Sequence, residues 1–85
     1  MIQLFYDRGC PFCQIVLRYL EQKDIPFEHK EIQLWADSPE KRELVERGGK
    51  PQVPFLVDPD QGTQMYESRD ILDYLQERNS DSAPV

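Results

Sequence analysis

The chain has 85 residues, 39% hydrophobic and 31% charged, a globular composition with room for one small core and none for a separate substrate domain. Sixteen Asp and Glu against ten Lys and Arg give a formal charge of −6, a field that repels polyphosphate and excludes nucleic acid and anionic membranes as expected partners. No apolar run approaches the ~18 to 20 residues of a membrane span, and two cysteines so close in sequence cannot frame a secreted mini-protein. A reducing, cytoplasmic setting is therefore expected.

Ile2-Gln3-Leu4-Phe5-Tyr6 is short, β-prone and bounded by Asp7-Arg8-Gly9, so it reads as a first strand, one that starts too early to leave space for a leader. Phe12, Ile15, Val16, Tyr19 and Leu20 then recur at helical spacing. Pro11 suits the first turn, which predicts a helix over 11–23. Phe27 to Ile32 begins and ends apolar with charges between, a partly exposed second strand. Asp37-Ser38-Pro39-Glu40 carries a cap at Asp37, an early Pro and a Glu three residues on, and it opens a charged helix through Val45 that Gly48-Gly49 stops.

Val53-Pro54-Phe55-Leu56-Val57 is the most apolar run and reads as a third strand. The turn residues Asp58-Pro59-Asp60-Gln61-Gly62 predict a hairpin into Thr63-Gln64-Met65-Tyr66. Ser68 can cap a last helix with Ile71, Leu72 and Leu75 on its buried stripe, leaving 79–85 as a small polar tail behind a domain of residues 1–78. Strand, helix, strand, helix, strand, strand, helix is most economically a four-stranded mixed sheet with helices on its faces.

Cys10-Pro11-Phe12-Cys13 falls where the first strand hands over to the first helix, beside the unpaired N–H groups of a helix start. That setting favours a thiolate, so Cys10 is expected to be an ionised nucleophile, with Arg8 adding positive charge. Cys13, about one turn into the helix, is placed to attack a mixed disulfide on Cys10, and Pro11 stiffens the loop between them. Two Cys and His29 fall short of the four ligands of structural zinc, so no metal is expected. His29 reads as a surface strand residue, Trp35 as loop packing, and Glu40-Lys41-Arg42-Glu43 as a solvated face. Arg47 and Lys50 flank the Val53-Pro54 turn, with solvation as their default.

The two cysteines after a first strand, Val53-Pro54 opening a third and Glu67-Ser68 before a last helix together resemble the glutaredoxin branch of the thioredoxin fold, over residues 1–78. The Trp-Cys-Gly-Pro-Cys of thioredoxins is absent. The resemblance implies a thioredoxin-like α/β fold, a four-stranded mixed sheet flanked by three helices, in a monomer that uses glutathione as reducing co-substrate. It implies that Pro54 is a cis-proline facing the cysteines and that the Val53 backbone pairs with the cysteinyl backbone of glutathione. Glu67-Ser68 also resembles the pair with which glutathione transferase amino-terminal domains hold the γ-glutamyl end. The implied glutathione-contacting set is Arg8, Phe12, Gln52, Val53, Pro54, Glu67 and Ser68. Three departures stand out: Phe12 where Tyr is frequent, Gln52 where Thr often precedes Val-Pro, and Glu67-Ser68 in place of Gly-Gly and Asp.

The activity implied is thiol–disulfide exchange on protein disulfides or glutathione mixed disulfides, with Cys10 as nucleophile and Cys13 or glutathione resolving. Two other readings stay open. One is a binding module holding an iron–sulfur cluster between two subunits through Cys10 and glutathione, which a rigid Pro11 disfavours. The other is a transferase-like amino-terminal domain, whose usual all-helical second domain is missing here.

Overall fold

The computed structural model describes the backbone of residues 1–82 and the side chains of residues 1–78. The elements follow the expected order: β1 (Ile2–Tyr6), α1 (Pro11–Gln22), β2 (Phe27–Glu31), α2 (Pro39–Gly48), β3 (Phe55–Asp58), β4 (Thr63–Tyr66) and α3 (Ser68–Ser82). They form one four-stranded mixed sheet in the order β2-β1-β3-β4. The α1 crossover makes β1 and β2 parallel, while β3 is antiparallel to both β1 and β4. No helix of the described residues is long and apolar enough to cross a membrane.

Element boundaries depart from the sequence reading where cap chemistry decides them. Ser38, not Asp37, caps α2, its side chain accepting from the Lys41 N–H at 3.1 Å, because Pro39 takes the first helical position. Asp37 turns instead to Arg42, at 2.7 Å. The same helix runs past Val45 to Gly48, and Gly49 ends it in the left-handed region (φ 93°), donating to Val45 O at 2.7 Å. β3 begins at Phe55 rather than Val53, since Pro54 has no N–H for the ladder. Two elements stop one residue short, α1 at Gln22 and β2 at Glu31. The last helix continues through Ser82, four residues into the segment read as a polar tail; residues 83–85 of that tail lie outside the described residues.

The core is built on two faces. All four residues of β3 are buried, and successive residues of a strand point to opposite faces, so both sides of the sheet are covered. α1 and α3 pack on each other over one side, contributing Val16, Leu20, Ile71 and Leu75, all fully buried. α2 contributes Leu44, and Glu43 from the same helix ties back to Lys30 of β2 at 3.2 Å. One in-register row, Phe5, Phe55 and Tyr66, crosses three strands with ring centroids 5.7 and 4.5 Å apart.

A charge is buried at the opposite end of β3. Asp58 is wholly inaccessible, accepts a hydrogen bond from the Tyr74 hydroxyl and faces Arg78 Nε at 3.4 Å, which anchors α3 to the hairpin. Burial first, and then the Asp58 carboxylate, push the Tyr74 hydroxyl above the usual phenol range, so it keeps its proton and donates. Tyr74→Phe removes the donor and leaves a buried carboxylate short of a partner. It is expected to cost about 1.5–3 kcal/mol, the range for hydrogen bonds to charged groups, read as a lower urea midpoint.

Candidate active site

The sheet register decides which loops meet. Phe5 pairs with Phe55 and Phe55 with Tyr66, so the chain leaving β1, entering β3 and leaving β4 does so at one end of the sheet. Cys10 and the start of α1, the Val53–Pro54 bond, and Glu67–Ser68 at the start of α3 therefore share that end. The Val53–Pro54 peptide is cis, as the resemblance implied, and both residues are buried. β2 ends there too, feeding the loop that carries Leu34 and Trp35.

Cys10 occupies the cap position of α1 with extended backbone (φ −92°, ψ 117°), and its carbonyl receives the Gln14 N–H at 3.1 Å. Pro11 takes the first helical position, where a missing N–H costs nothing. Cys10 is partly exposed and Cys13 wholly buried, both as free thiols. Burial pushes the Cys13 thiol up to about 12, a backbone hydrogen bond from Asp7 pulling the other way and one to the Cys10 sulfur adding to the rise. The pair is thus unequal: one partly exposed cysteine at a helix start, the other a buried, protonated thiol.

Asp7 organises the loop, a role the sequence reading missed by taking it only as a turn residue. Its carboxylate accepts from Gly9 N at 2.9 Å and from Leu34 N at 3.1 Å, while its carbonyl accepts from Cys10 N at 3.0 Å. One side chain therefore fixes the cysteine loop and moors the loop after β2 beside it. The Asp-x-Gly pattern of residues 7–9 was the available signal, since Asp in that place closes a turn on a following N–H.

Not every residue of the implied glutathione set is free to act. Arg8 is exposed and paired with Glu31 at 2.9 Å. Phe12 is 60% exposed on the first turn of α1. Gln52 donates to the Glu67 carboxylate at 3.0 Å, joining the loop before β3 to the start of α3. Glu67 itself has φ 72°, a left-handed backbone that a side chain other than glycine's adopts only under strain. The helical bonds of α3 begin with Ile71 N to Glu67 O at 3.0 Å, which puts the N–H groups of residues 68–70 at the open end of the helix. Arg47 is held by Glu43 at 2.9 Å, and Lys50 Nζ lies 5.2 Å from the Tyr66 ring centroid, over its face. Trp35, read as packing, is 81% exposed, and Leu34 beside it 40%. Among the described residues no three His, Cys, Asp or Glu side chains gather to hold a metal ion.

The sequence of residues 4–83 matches the family model described as glutathione S-transferase, N-terminal domain, and the chain belongs to that family. No curated protein matches it. Among solved structures it is similar to a glutathione S-transferase from the Antarctic clam Laternula elliptica, at 29% identity and a TM-score of 0.80 over 93% of this chain and 35% of that one. It is also similar to glutaredoxin 2 from Salmonella typhimurium in complex with glutathione, at 27% identity and a TM-score of 0.75 over 99% of this chain and 35% of that one. A thioredoxin-like protein, 21% identical with a TM-score of 0.70, is covered over 96% of its length by 91% of this chain, and shares the thioredoxin-like fold. The chain thus spans about a third of the length of its glutathione S-transferase and glutaredoxin 2 neighbours.

Three measurements check this geometry. Iodoacetamide at neutral pH is expected to label Cys10 and spare Cys13 in the native protein, read by peptide mass spectrometry. Because the folded state keeps the Cys13 proton that an unfolded chain loses above its ordinary value of 9.0, stability falls as pH climbs from there towards about 12. Cys13→Ala is expected to show a shallower alkaline loss of urea midpoint than wild type. Asp7→Ala is expected to raise hydrogen exchange at the Gly9 and Leu34 amides by about fivefold, the loss of roughly 1 kcal/mol per bond.

Proposed function

We propose that this member of the glutathione S-transferase N-terminal domain family is a glutathione-dependent thiol–disulfide oxidoreductase of glutaredoxin type. The observation that carries the reading is the unequal cysteine pair at the start of α1: Cys10 partly exposed, Cys13 wholly buried. Support comes also from the sheet end that Cys10 shares with the cis Val53–Pro54 bond and the start of α3, and from the likeness to a glutaredoxin in complex with glutathione.

In this reading Cys10 attacks as the thiolate, the form in which a cysteine is nucleophilic. It strikes the glutathionyl sulfur of a mixed disulfide. The old S–S bond breaks as the new one forms, and the released protein thiolate takes a proton from water. A second glutathione, as thiolate, then attacks the glutathionyl sulfur on Cys10, forming glutathione disulfide and returning Cys10 to its thiolate. Net, one disulfide is exchanged for another: the protein sulfur is reduced to a thiol, and one free glutathione is oxidised as it joins the glutathionyl group taken from the substrate. Cys13 offers the other exit, closing a Cys10–Cys13 disulfide, but its thiol must first lose a proton that burial holds to about 12.

Glutathione is held, in this proposal, by strand-like pairing of its cysteinyl backbone with Val53 and by its γ-glutamyl carboxylate at the open N–H groups and hydroxyl of Ser68. Glu67, already the acceptor for Gln52, stands next to the ammonium, and Asp70 lies in the same first turn. Phe12 and the Gln52 amide border the bound tripeptide, and Arg8, held by Glu31, borders it from the cysteine loop. The proposed partners are glutathione and disulfide-bearing or glutathionylated proteins, met by a monomer in the cytoplasm.

The family match favours one second reading, a domain that conjugates glutathione to electrophiles. One set of assays separates the two. Glutathione-coupled reduction of a small mixed disulfide is expected to fall by about a thousandfold or more in Cys10→Ser, as for loss of a nucleophile, and to persist in Cys13→Ser, which loses turnover of protein disulfides. Conjugation of an aryl halide with no disulfide turnover would move the assignment to the second reading.

A further inference from the structure

The exposed large apolar side chains are unevenly spread. Among the described residues they are Met1, Phe12, Ile15, Leu34, Trp35 and Val45. Four of the six belong to the two segments that flank Cys10: the first turns of α1, and the loop between β2 and α2 that Asp7 moors. Trp35 is the extreme case, at 81%. A slack loop leaves an indole in water by default, but this loop is tied on both sides of Trp35. The Leu34 N–H donates to the Asp7 carboxylate at 3.1 Å, Lys41 Nζ in the first turn of α2 donates to the Leu34 carbonyl at 2.9 Å, and the Ala36 N–H donates to the Gln33 carbonyl at 3.0 Å. The backbone that presents the indole is thus ordered before any partner arrives, the condition under which an exposed Trp contributes most to an interface.

The exchange chemistry decides what can reach it, and in this respect the inference rests on the oxidoreductase reading. In that reading glutathione occupies the ground at Val53 and the start of α3, and Cys10 attacks the glutathionyl sulfur. The protein sulfur that leaves lies one disulfide bond, about 2 Å, beyond it. Its chain cannot cross the ground glutathione holds, so it runs over the segments on the other flanks of Cys10. An extended chain advances about 3.3 Å per residue, which puts side chains two or three positions from the cysteine roughly 7–10 Å away. The Leu34 backbone lies at a separation of that order, since Asp7 alone bridges it to Cys10: the Asp7 carbonyl accepts from the Cys10 N–H and the Asp7 carboxylate from the Leu34 N–H. The chain's net charge of −6 selects further, drawing basic partners at long range.

We propose that the Leu34–Trp35 loop docks the protein half of a mixed disulfide, and that the partner is a basic segment with a bulky apolar residue two or three positions from its glutathionylated cysteine. That side chain covers Leu34 and the indole and takes apolar surface of both out of water. A small disulfide has no chain to lay there and reacts without the contact.

Glutathione-coupled turnover by the whole chain tests it, with synthetic peptides glutathionylated on a single cysteine and, for comparison, the mixed disulfide of glutathione and 2-mercaptoethanol. Among lysine-bearing peptides, leucine three positions to either side of the cysteine is expected to lower KM about tenfold relative to serine there. Glutamates in place of the lysines are expected to raise KM, with a difference that shrinks at high salt. Trp35→Ala, at an exposed position, is expected to raise KM for the leucine peptide about tenfold with kcat and the small disulfide unchanged, and Trp35→Phe to recover most of the loss. Equal KM values for the leucine and serine peptides, or no effect of Trp35→Ala, would overturn the docking site while the oxidoreductase reading stands. Glutamate peptides that match the lysine ones remove the basic partner. Equal losses on peptide and small disulfide in Trp35→Ala reduce the indole to a structural part and end the proposal. A wild-type dimer that Trp35→Ala dissociates makes the occupant a second copy, which also ends it. Absence of small-disulfide turnover in wild type is a different failure, that of the oxidoreductase reading itself, and takes this inference with it.

Discussion

The in-register row of Phe5, Phe55 and Tyr66 is the constraint on which the site rests. Strand pairing is all or nothing in direction: a slip of one residue would turn every buried side chain of β1 or β3 to the wrong face. Because these strands cannot slip, the loops beyond the row are carried to one edge without contacts of their own. The site is then completed by short polar links between loops, Asp7 to Leu34 and Gln52 to Glu67, which adjust positions the sheet has already assigned. Gly48 adds a further condition, since any side chain there would overlap the Tyr66 hydroxyl that closes on Lys50.

The two sulfurs show how one helical turn separates two chemical environments. Cys10 precedes the helix and keeps solvent on one side; Cys13 has entered it and faces the core with Val16, Leu17 and Leu20. Nothing beyond the helix pitch and the amphipathic pattern of α1 is needed to leave one cysteine partly exposed and bury the other. Strain is concentrated opposite, at Glu67, whose left-handed backbone turns the chain from β4 into α3 and aims the open end of that helix at the same edge.

Most of the fold was legible because its signals are local and strong: a short β-prone first strand, a Pro-initiated amphipathic helix and a turn-rich hairpin. Boundaries failed where two local rules competed. At residues 37–40 the capping-box spacing pointed to Asp37, but proline's preference for the first helical position handed the cap to Ser38. At Val53 hydrophobicity suggested strand, but the missing N–H of Pro54 delayed the ladder. The cysteines and their helix-start setting could be read directly. Asp7's reach to Leu34 could not, since that contact spans 27 positions and exists only once β1 and β2 lie parallel.

Trp35 has a practical consequence. It is the single tryptophan of the chain, and most of its surface meets water in the folded state. Its fluorescence should already resemble that of a free indole before any denaturant is added, so intrinsic emission will report the folding of this protein poorly and could mark a native sample as unfolded. The same indole is well placed as a built-in lamp for events at the end of the sheet that carries Cys10, since any molecule that settles against the loop Asp7 moors will change the light it gives.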